Sequence, residues 1–460
     1  MAQPVAPLLS SKWTTVSSRL VKADECKDPE WMELAKIDQL LLGNFSSHVF
    51  LYKPKCELSN ENCDASEVLP IDKLIRSLEK VLVHFYPLAG RLIKNGPQEF
   101  VRVFCNNQGA EWYHKRYDGA ASEIIDEDNF QPDERLSGYS HLKVRSPVYD
   151  SSGLTALVVQ VTEFQCGTVA LSVSYSHMLA DGFSGLHFLQ SWAEICRGEP
   201  ISLLPVHARW ILKAGKEASA TAEAPKTRPV SHGGNTMSQR YRPPLAYKTL
   251  RYSRRKLEEL KAQARDSEQS DIGRGKVLST ADCACAHLWR NVTRIAGVEH
   301  DKEIAYVNIV NGRSRLENCP PGYFGNCIYS TTRGTVAEAK AGDLLSQPLR
   351  FAATAIHDSH RSIDNAAIRR TIDFCQGTEF AQDMLGGRDM KSVLLGSWQI
   401  RFPFYEIDFG SGRPANVLRN VRSRVGVLAH LHAYPGRSPG DVIMVVEADS
   451  SLLEHLGDEL

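Results

Sequence analysis

An α/β (α+β) chain folded as two domains of similar size is what this sequence predicts, and three observations carry the prediction. The chain has 460 residues with 42% hydrophobic content, enough for two cores of ordinary size. Period-2 strands and period-3.6 helices follow one another in both halves. Near the midpoint, 216–245 is polar and broken, running through Lys216-Glu217-Ala218-Ser219-Ala220-Thr221 to Ser231-His232-Gly233-Gly234-Asn235. The expected division is 1–215, a crossover linker at 216–245, and 246–460, with part of 408–437 packing on the first domain.

The first half opens with a strand at Ser47–Tyr52. A helix over about Ile71–Phe85 follows, with Leu74, Leu78, Val81 and Phe85 on one stripe. Pro87 and Gly90 close it. Strands at Leu154–Glu163 and Thr168–Tyr175 meet at Gln165-Cys166-Gly167, predicting a hairpin. The second strand puts Val169, Leu171, Val173 and Tyr175 on one face, and His177 continues that face where the strand runs out. Asp181-Gly182 follows. Phe183, Leu186, Leu189, Trp192 and Ile195 then space out a helix that ends near Gly198.

The second half carries a capping box. Ser279-Thr280-Ala281-Asp282 places an acid three residues after a serine, ahead of the stripe Ala281, Cys285, Leu288, Val292, Ile295. A strand over Ile304–Val310 turns out at Asn311-Gly312-Arg313. Arg419, Arg422 and Arg424 read as a solvated strand face.

Composition removes several classes of function. Lys plus Arg and Asp plus Glu both count 54, so no broad field favours nucleic acid or an anionic membrane. No run reaches the roughly 18 apolar residues of a membrane span. Met1-Ala2-Gln3-Pro4 opens without a signal-peptide pattern, so a cytoplasmic protein is expected. The 11 cysteines are scattered and read as reduced core thiols. Cys283 and Cys285 lie two apart on a helix and point to different sides. No metal site is expected.

His177 is the candidate for chemistry. A neutral imidazole near its working pKa takes a proton from an alcohol or amine as that group attacks a carbonyl. Asp181 has two open roles: a hydrogen bond to His177, or pinning the turn through an arginine. A lone His-x-x-x-Asp is a common spacing, and an ordinary strand-end histidine before an ordinary helix start also fits it. Ser279 and Thr280 open a helix, with Lys276 beside them, and suit a phosphate-bearing ligand. Gly436-Arg437-Ser438-Pro439-Gly440 mimics a serine-hydrolase elbow, but Pro439 has no N–H for an oxyanion. Gly410-Ser411-Gly412-Arg413-Pro414-Ala415 mimics a dinucleotide fingerprint without the helix or the later acid.

These pieces, in this order, resemble the BAHD acyltransferases. Tyr86-Pro87-Leu88-Ala89-Gly90-Arg91-Leu92 is similar to an early signature of that family, and His177-Met178-Leu179-Ala180-Asp181-Gly182 to its H-x-x-x-D-G motif. Leu278-Ser279-Thr280 before Ala286-His287-Leu288-Trp289-Arg290 resembles the opening helix of its second domain. Asn311-Gly312-Arg313-Ser314-Arg315, Pro320-Pro321-Gly322-Tyr323-Phe324-Gly325-Asn326 and Asp408-Phe409-Gly410-Ser411-Gly412 resemble three further segments. Asn311 and Ser411 depart from the usual acid and tryptophan.

The resemblance implies two chloramphenicol-acetyltransferase-like domains, mixed sheets flanked by helices, and a central solvent channel. It implies transfer of a hydroxycinnamoyl, other aromatic or fatty acyl group from CoA to a hydroxyl of a small molecule, within a ternary complex, in plant specialised metabolism. Acyl-CoA is then a co-substrate, and no permanent cofactor is held. His177 is the base, Asp181 a structural orienter paired with Arg313, and Trp398 a neighbour of the oxyanion or substrate. Lys276, Ser279 and Thr280 hold CoA phosphates. Asp408, Gly410 and Gly412 are structural. A monomer is expected. Gly396, where shikimate and quinate transferases tend to carry a hydroxyl, speaks against that acceptor pair. The competing functions are N-acylation of an amine, a lyase-type use of the pocket, and a non-catalytic metabolite-binding relative.

Overall fold

The computed structural model describes residues 12–25, 27–39, 41, 43–54, 68–94, 100–126, 131–132, 134–138, 152–213, 245–265, 277–330, 336–374, 393–420, 427–433 and 440–457. Two compact units emerge. The first takes Met1–Leu212, Cys319–Asn326 and Pro403–Arg422, and the second takes Lys213–Asn318, Cys327–Phe402 and Ser423–Leu460.

A six-stranded mixed sheet organises the first unit, in the order Trp13–Val21, Ala110–Tyr117, Leu157–Phe164, Val169–Ser176, Phe45–Tyr52, Asn416–Asn420. The predicted hairpin forms in register, Leu157 opposite Tyr175 and Glu163 opposite Val169. Gly167 adopts φ +79 at its turn, a conformation that glycine reaches without Cβ strain. Leu154 and Thr155 do not belong to that hairpin: they pair with Leu92 and Arg91 in a separate four-stranded sheet. Alternation continues across the break, so periodicity alone runs the two strands together.

Every residue of Val169–Ser176 is buried, including the small Ala170, Ser172 and Ser174. The helix Gly182–Arg197 covers this sheet. Gly185 allows the approach: a Cβ there would lie 1.8 Å from the Tyr175 hydroxyl. Leu186, Leu189 and Trp192 are buried as expected, each burial worth roughly 1.5–3 kcal/mol. Phe183 stays 40% exposed. Trp192 donates its indole N–H to Ser77 Oγ at 3.0 Å, joining this helix to Ile71–His84.

Arg419 corrects the reading of a solvated basic face. It lies on the strand Asn416–Asn420, opposite His48, and is only partly accessible. Burial lowers its guanidinium to about 10, partly offset by Tyr175. Arg422 and Arg424 lie outside the described residues.

The second unit has a mixed sheet in the order Leu245–Tyr252, Val442–Asp449, Val427–Ala433, Val393–Trp398, Glu303–Asn311, Ile328–Ser330, with Ala337–Lys340 pairing on Glu303–Asn311. Thr280–Ile295 and Leu349–Arg361 pack on it through Leu288, Trp289, Ala353 and Ile356. Among the described residues no helix is long and apolar enough to cross a membrane. The described cysteines are free thiols. Cys283 and Cys285 are both buried.

Candidate active site

The strand Val169–Ser176 is paired on both edges, which fixes where its end points. The chain leaves it under control of two backbone bonds, Ser176 N–H to Ala156 O and His177 N–H to Asn44 O, both 2.9 Å. Leu179 N–H then closes a turn on Ser176 O at 3.0 Å. Asp181 is fully buried as the N-cap of Gly182–Arg197, its Oδ1 accepting Ser184 N–H at 2.9 Å. A serine, aspartate or asparagine is favoured at this position because it satisfies an orphan helix donor. Asp181 therefore holds the turn by capping. Its charge also acts on His177 through space, favouring the imidazolium.

His177 Nδ1 faces Asn326 Oδ1 at 3.2 Å. The orientation of that amide follows from its other neighbours. Asn326 Nδ2 donates to Asp38 Oδ1 (2.8 Å), His177 O (2.8 Å) and Met178 O (3.2 Å). Three acceptors around one nitrogen require it to be the NH2, so the carbonyl oxygen must face His177. An amide oxygen only accepts. Neutral His177 then carries its proton on Nδ1 and its lone pair on Nε2.

Burial pushes His177 below its ordinary value; Asp181 and Asn326 oppose this and Arg419 adds to it. The imidazole is thereby kept neutral and available as a base at physiological pH, while part of its surface remains accessible.

Asn326 is brought here by its loop. Val206 N–H donates to Gly322 O and Phe324 N–H to Val206 O, both 2.9 Å, so the loop lies beside Val206 like a short parallel strand. Gly322 has φ +76, and a Cβ there would meet Leu204 O at 2.3 Å. Ser184 Oγ exchanges hydrogen bonds with Gly325 O (2.9 Å) and Gly325 N–H (3.0 Å), tying loop to helix.

Behind Asn326 lies an ion pair. Asp38 is fully buried and Arg209 is 5% exposed, with Arg209 Nη1 donating to Asp38 Oδ2 at 2.9 Å. Arg209 Nη2 reaches Leu179 O at 2.7 Å. Asp38, Arg209 and the role of Asn326 escape a reading of the sequence. The signal available was the Asn ending the Pro320–Asn326 segment.

Asp408, Gly410 and Gly412 form one device in the same unit. Asp408 Oδ1 accepts Gly410 N–H (2.7 Å) and Gly412 N–H (2.9 Å), with φ +106 and +115 at the two glycines. Phe409 is thereby turned inward against Trp192, 4.9 Å between centroids, and Ser411 stays partly exposed.

Ser279, Thr280, Arg313 and Trp398 belong to the second unit; Lys276 lies outside the described residues. Ser279 caps Thr280–Ile295 as the sequence predicts. Its Oγ accepts Asp282 N–H at 3.1 Å, and Asp282 Oδ2 accepts Ser279 N–H at 2.7 Å. Asp282 does more than cap. His357 Nδ1 lies 3.0 Å from Oδ2 and His360 Nε2 3.2 Å from Oδ1.

Burial alone would raise the Asp282 carboxyl; the hydrogen bonds from His360, His357 and Ser279 outweigh it and hold the group below its ordinary value. The three residues bring one ligand atom each within 4.8 Å of one another, a spacing that suits a divalent ion. The proton assignment opposes that use. Arg361 Nε–H faces His357 Nε2 at 3.5 Å, marking it as an acceptor and leaving the N–H on Nδ1, toward Asp282. His360 sets its ring edge on Trp398, 4.9 Å between centroids, and the Trp398 indole N–H lies 3.5 Å from the Tyr306 hydroxyl.

Comparison with known proteins identifies the family. The model of the Transferase family matches residues 11–457. Shikimate O-hydroxycinnamoyltransferase of Nicotiana tabacum is 31% identical over 389 residues, 82% of this chain and 83% of that protein. Anthranilate N-benzoyltransferase protein 1 of Dianthus caryophyllus is 29% identical over 417 residues, 86% of this chain and 88% of that protein. The crystal structure of vinorine synthase superposes with TM-score 0.68 at 23% identity, covering 96% of both chains. F. sporotrichioides TRI101 complexed with coenzyme A and T-2 superposes with TM-score 0.71 at 16% identity, covering 92% of this chain and 96% of that one. At those identities the two structures speak for the fold alone. The family match and the relatives above 30% identity make this chain a member of the Transferase family, a BAHD acyltransferase.

Proposed function

We propose that the protein transfers an aromatic acyl group, hydroxycinnamoyl or benzoyl in class, or a fatty acyl group, from CoA to a hydroxyl of a small molecule, with His177 as general base. The observation that carries this is the orientation of Asn326, which leaves the lone pair of His177 on Nε2. Nε2 takes the hydroxyl proton as the acceptor oxygen attacks the thioester carbonyl. The carbon–sulfur bond then breaks, and the imidazolium returns the proton to the departing CoA thiolate. No acyl-enzyme forms. Such a base is worth roughly 10²–10⁴ in rate.

The other assignments follow. Asp181 holds the turn, and its partnership with Arg313 belongs to this reading. Trp398 lies beside the oxyanion or substrate. Lys276, Ser279 and Thr280 take CoA phosphates, where a helix N-terminus favours anions. Asp408, Gly410 and Gly412 shape their loop. The protein works as a cytoplasmic monomer.

Acceptor choice is narrowed by Gly396. A Cβ there would lie 1.8 Å from the Tyr306 hydroxyl, so a hydroxylated side chain at 396 is incompatible with Tyr306 as it stands. This supports an acceptor other than shikimate or quinate. An amine is the second reading, favoured by the similarity to the Dianthus caryophyllus N-benzoyltransferase; the same base serves both.

The test is thiol release from acetyl-, benzoyl-, hydroxycinnamoyl- and fatty-acyl-CoA with a panel of alcohols and amines. Acceptor-dependent release is expected for wild type and its loss for His177→Ala. No release from any donor would reject the reading and favour a lyase-type or non-catalytic relative.

A further inference from the structure

Three consecutive carbonyls of the turn after the catalytic strand are held by two side chains. Asn326 Nδ2 takes those of His177 and Met178, and Arg209 Nη2 takes that of Leu179. Both side chains are anchored on one carboxylate: Asp38 Oδ1 receives Asn326 and Asp38 Oδ2 receives Arg209. Asp38 is itself fixed by Ala35 N–H at 2.8 Å. The circuit closes around the residue that carries the chemistry, and its members come from positions 38, 177–179, 209 and 326.

A buried ion pair is a poor stabiliser. Desolvating two charges costs about what their attraction returns, and apolar replacement of both is often neutral or better. Asp38 fits that expectation, since burial drives its carboxyl upward even against Arg209 and Asn326. What the pair does supply is direction. An asparagine amide has nearly the same shape when turned by 180°. Only its neighbours decide which end meets His177. With Asp38 ionised, the NH2 end is drawn to the carboxylate and the oxygen is left for Nδ1.

We propose that Asp38 and Arg209 are positioning residues that set the tautomer of His177 through Asn326. Turned the other way, Asn326 would donate to Nδ1, the imidazole proton would move to Nε2, and the base would face its acceptor without a lone pair. The effect on catalysis rests on the general-base reading; the effect on the tautomer does not.

The experiment uses the full chain labelled with [15N]histidine, with the His177 signals assigned by their loss in His177→Gln. Asp38→Ala strands a buried guanidinium and is prone to misfold. The informative variants are the double Asp38→Leu/Arg209→Met, which removes both charges, and Asp38→Asn, which keeps the shape; the one that melts cooperatively is used. Wild type should show a protonated Nδ1 and a bare Nε2. The variant should show the two tautomers exchanging. Its kcat for thiol release should fall about 100-fold, with KM for acyl-CoA within about twofold. A cooperatively folded variant whose His177 keeps the wild-type tautomer would overturn the proposal. So would a wild-type kcat. Absence of thiol release in wild type would reject the transferase reading, and the nitrogen shifts would still decide the tautomer.

Discussion

The two units use the same chemical pair, a buried carboxylate and an imidazole, in opposite ways. At His177 an amide stands between them: Asp38 holds Asn326, and Asn326 holds Nδ1. At Asp282 the carboxylate meets two imidazoles directly, at 3.0 and 3.2 Å. Burial keeps His177 neutral, and the intervening amide passes on direction without a full charge, so Nε2 stays available. Direct contact ties the rings to the charge and makes a strut between the helices Thr280–Ile295 and Leu349–Arg361. The two carboxyls reflect this, Asp38 driven up by burial and Asp282 held down by its donors.

The largest expected effect separates the two sites by activity. His177→Ala should lower kcat by roughly 10²–10⁴ with little change in melting. His357→Ala should leave kcat within about threefold and lower stability instead, by about 1–2 kcal/mol. Thiol-release kinetics and urea titration of both variants make the comparison, which fails if His357→Ala costs as much rate as His177→Ala.

Next in size is the strut. Asp282→Ala removes a helix cap and leaves Ser279 N–H and two imidazoles short of their acceptor. A loss of about 3 kcal/mol is expected, in urea midpoint at constant slope. Gly396→Thr should cost about 1–3 kcal/mol, because its Cβ overlaps the Tyr306 hydroxyl. Adding Tyr306→Phe should recover part of that loss. A Gly396→Thr variant as stable as wild type would contradict the packing.

The pH dependence is the finer test. His177 is lowered in the folded protein, so it remains an unprotonated base further into acid than an ordinary imidazole. The acid limb of kcat/KM should therefore break below about pH 6.5. For stability the two aspartates have opposite signs. Asp282, lowered on folding, contributes stability above about pH 3.9 that is lost as pH falls through its folded value. Asp38, raised on folding, binds its proton more tightly when folded. Its contribution is present below about pH 3.9 and is lost as pH rises through its folded value. Asp282→Asn should flatten the acid fall in stability. Asp38→Leu/Arg209→Met should steepen it.

Local chemistry was legible in the sequence, and contacts across the chain were not. The capping box at Ser279 and Asp282 was readable because its parts lie three residues apart. The strand-end mounting of His177 was readable from alternation alone. The second role of Asp282 was hidden because its histidines lie 75 and 78 residues on. Asp38 and Arg209, 171 residues apart, look in the sequence like any pair of surface charges. Arg419 looked solvated because its pattern does not say that its strand will lie against Phe45–Tyr52. The false extension to Leu154 came from an alternation that ignores a change of sheet.

An amide, ordered by a buried carboxylate, leaves His177 Nε2 as the bare nitrogen. The imidazole 15N shifts of His177 in the wild-type protein at neutral pH test it most directly. The expected result is a protonated Nδ1 and an unprotonated Nε2. A protonated Nε2, alone or in an imidazolium, would contradict it.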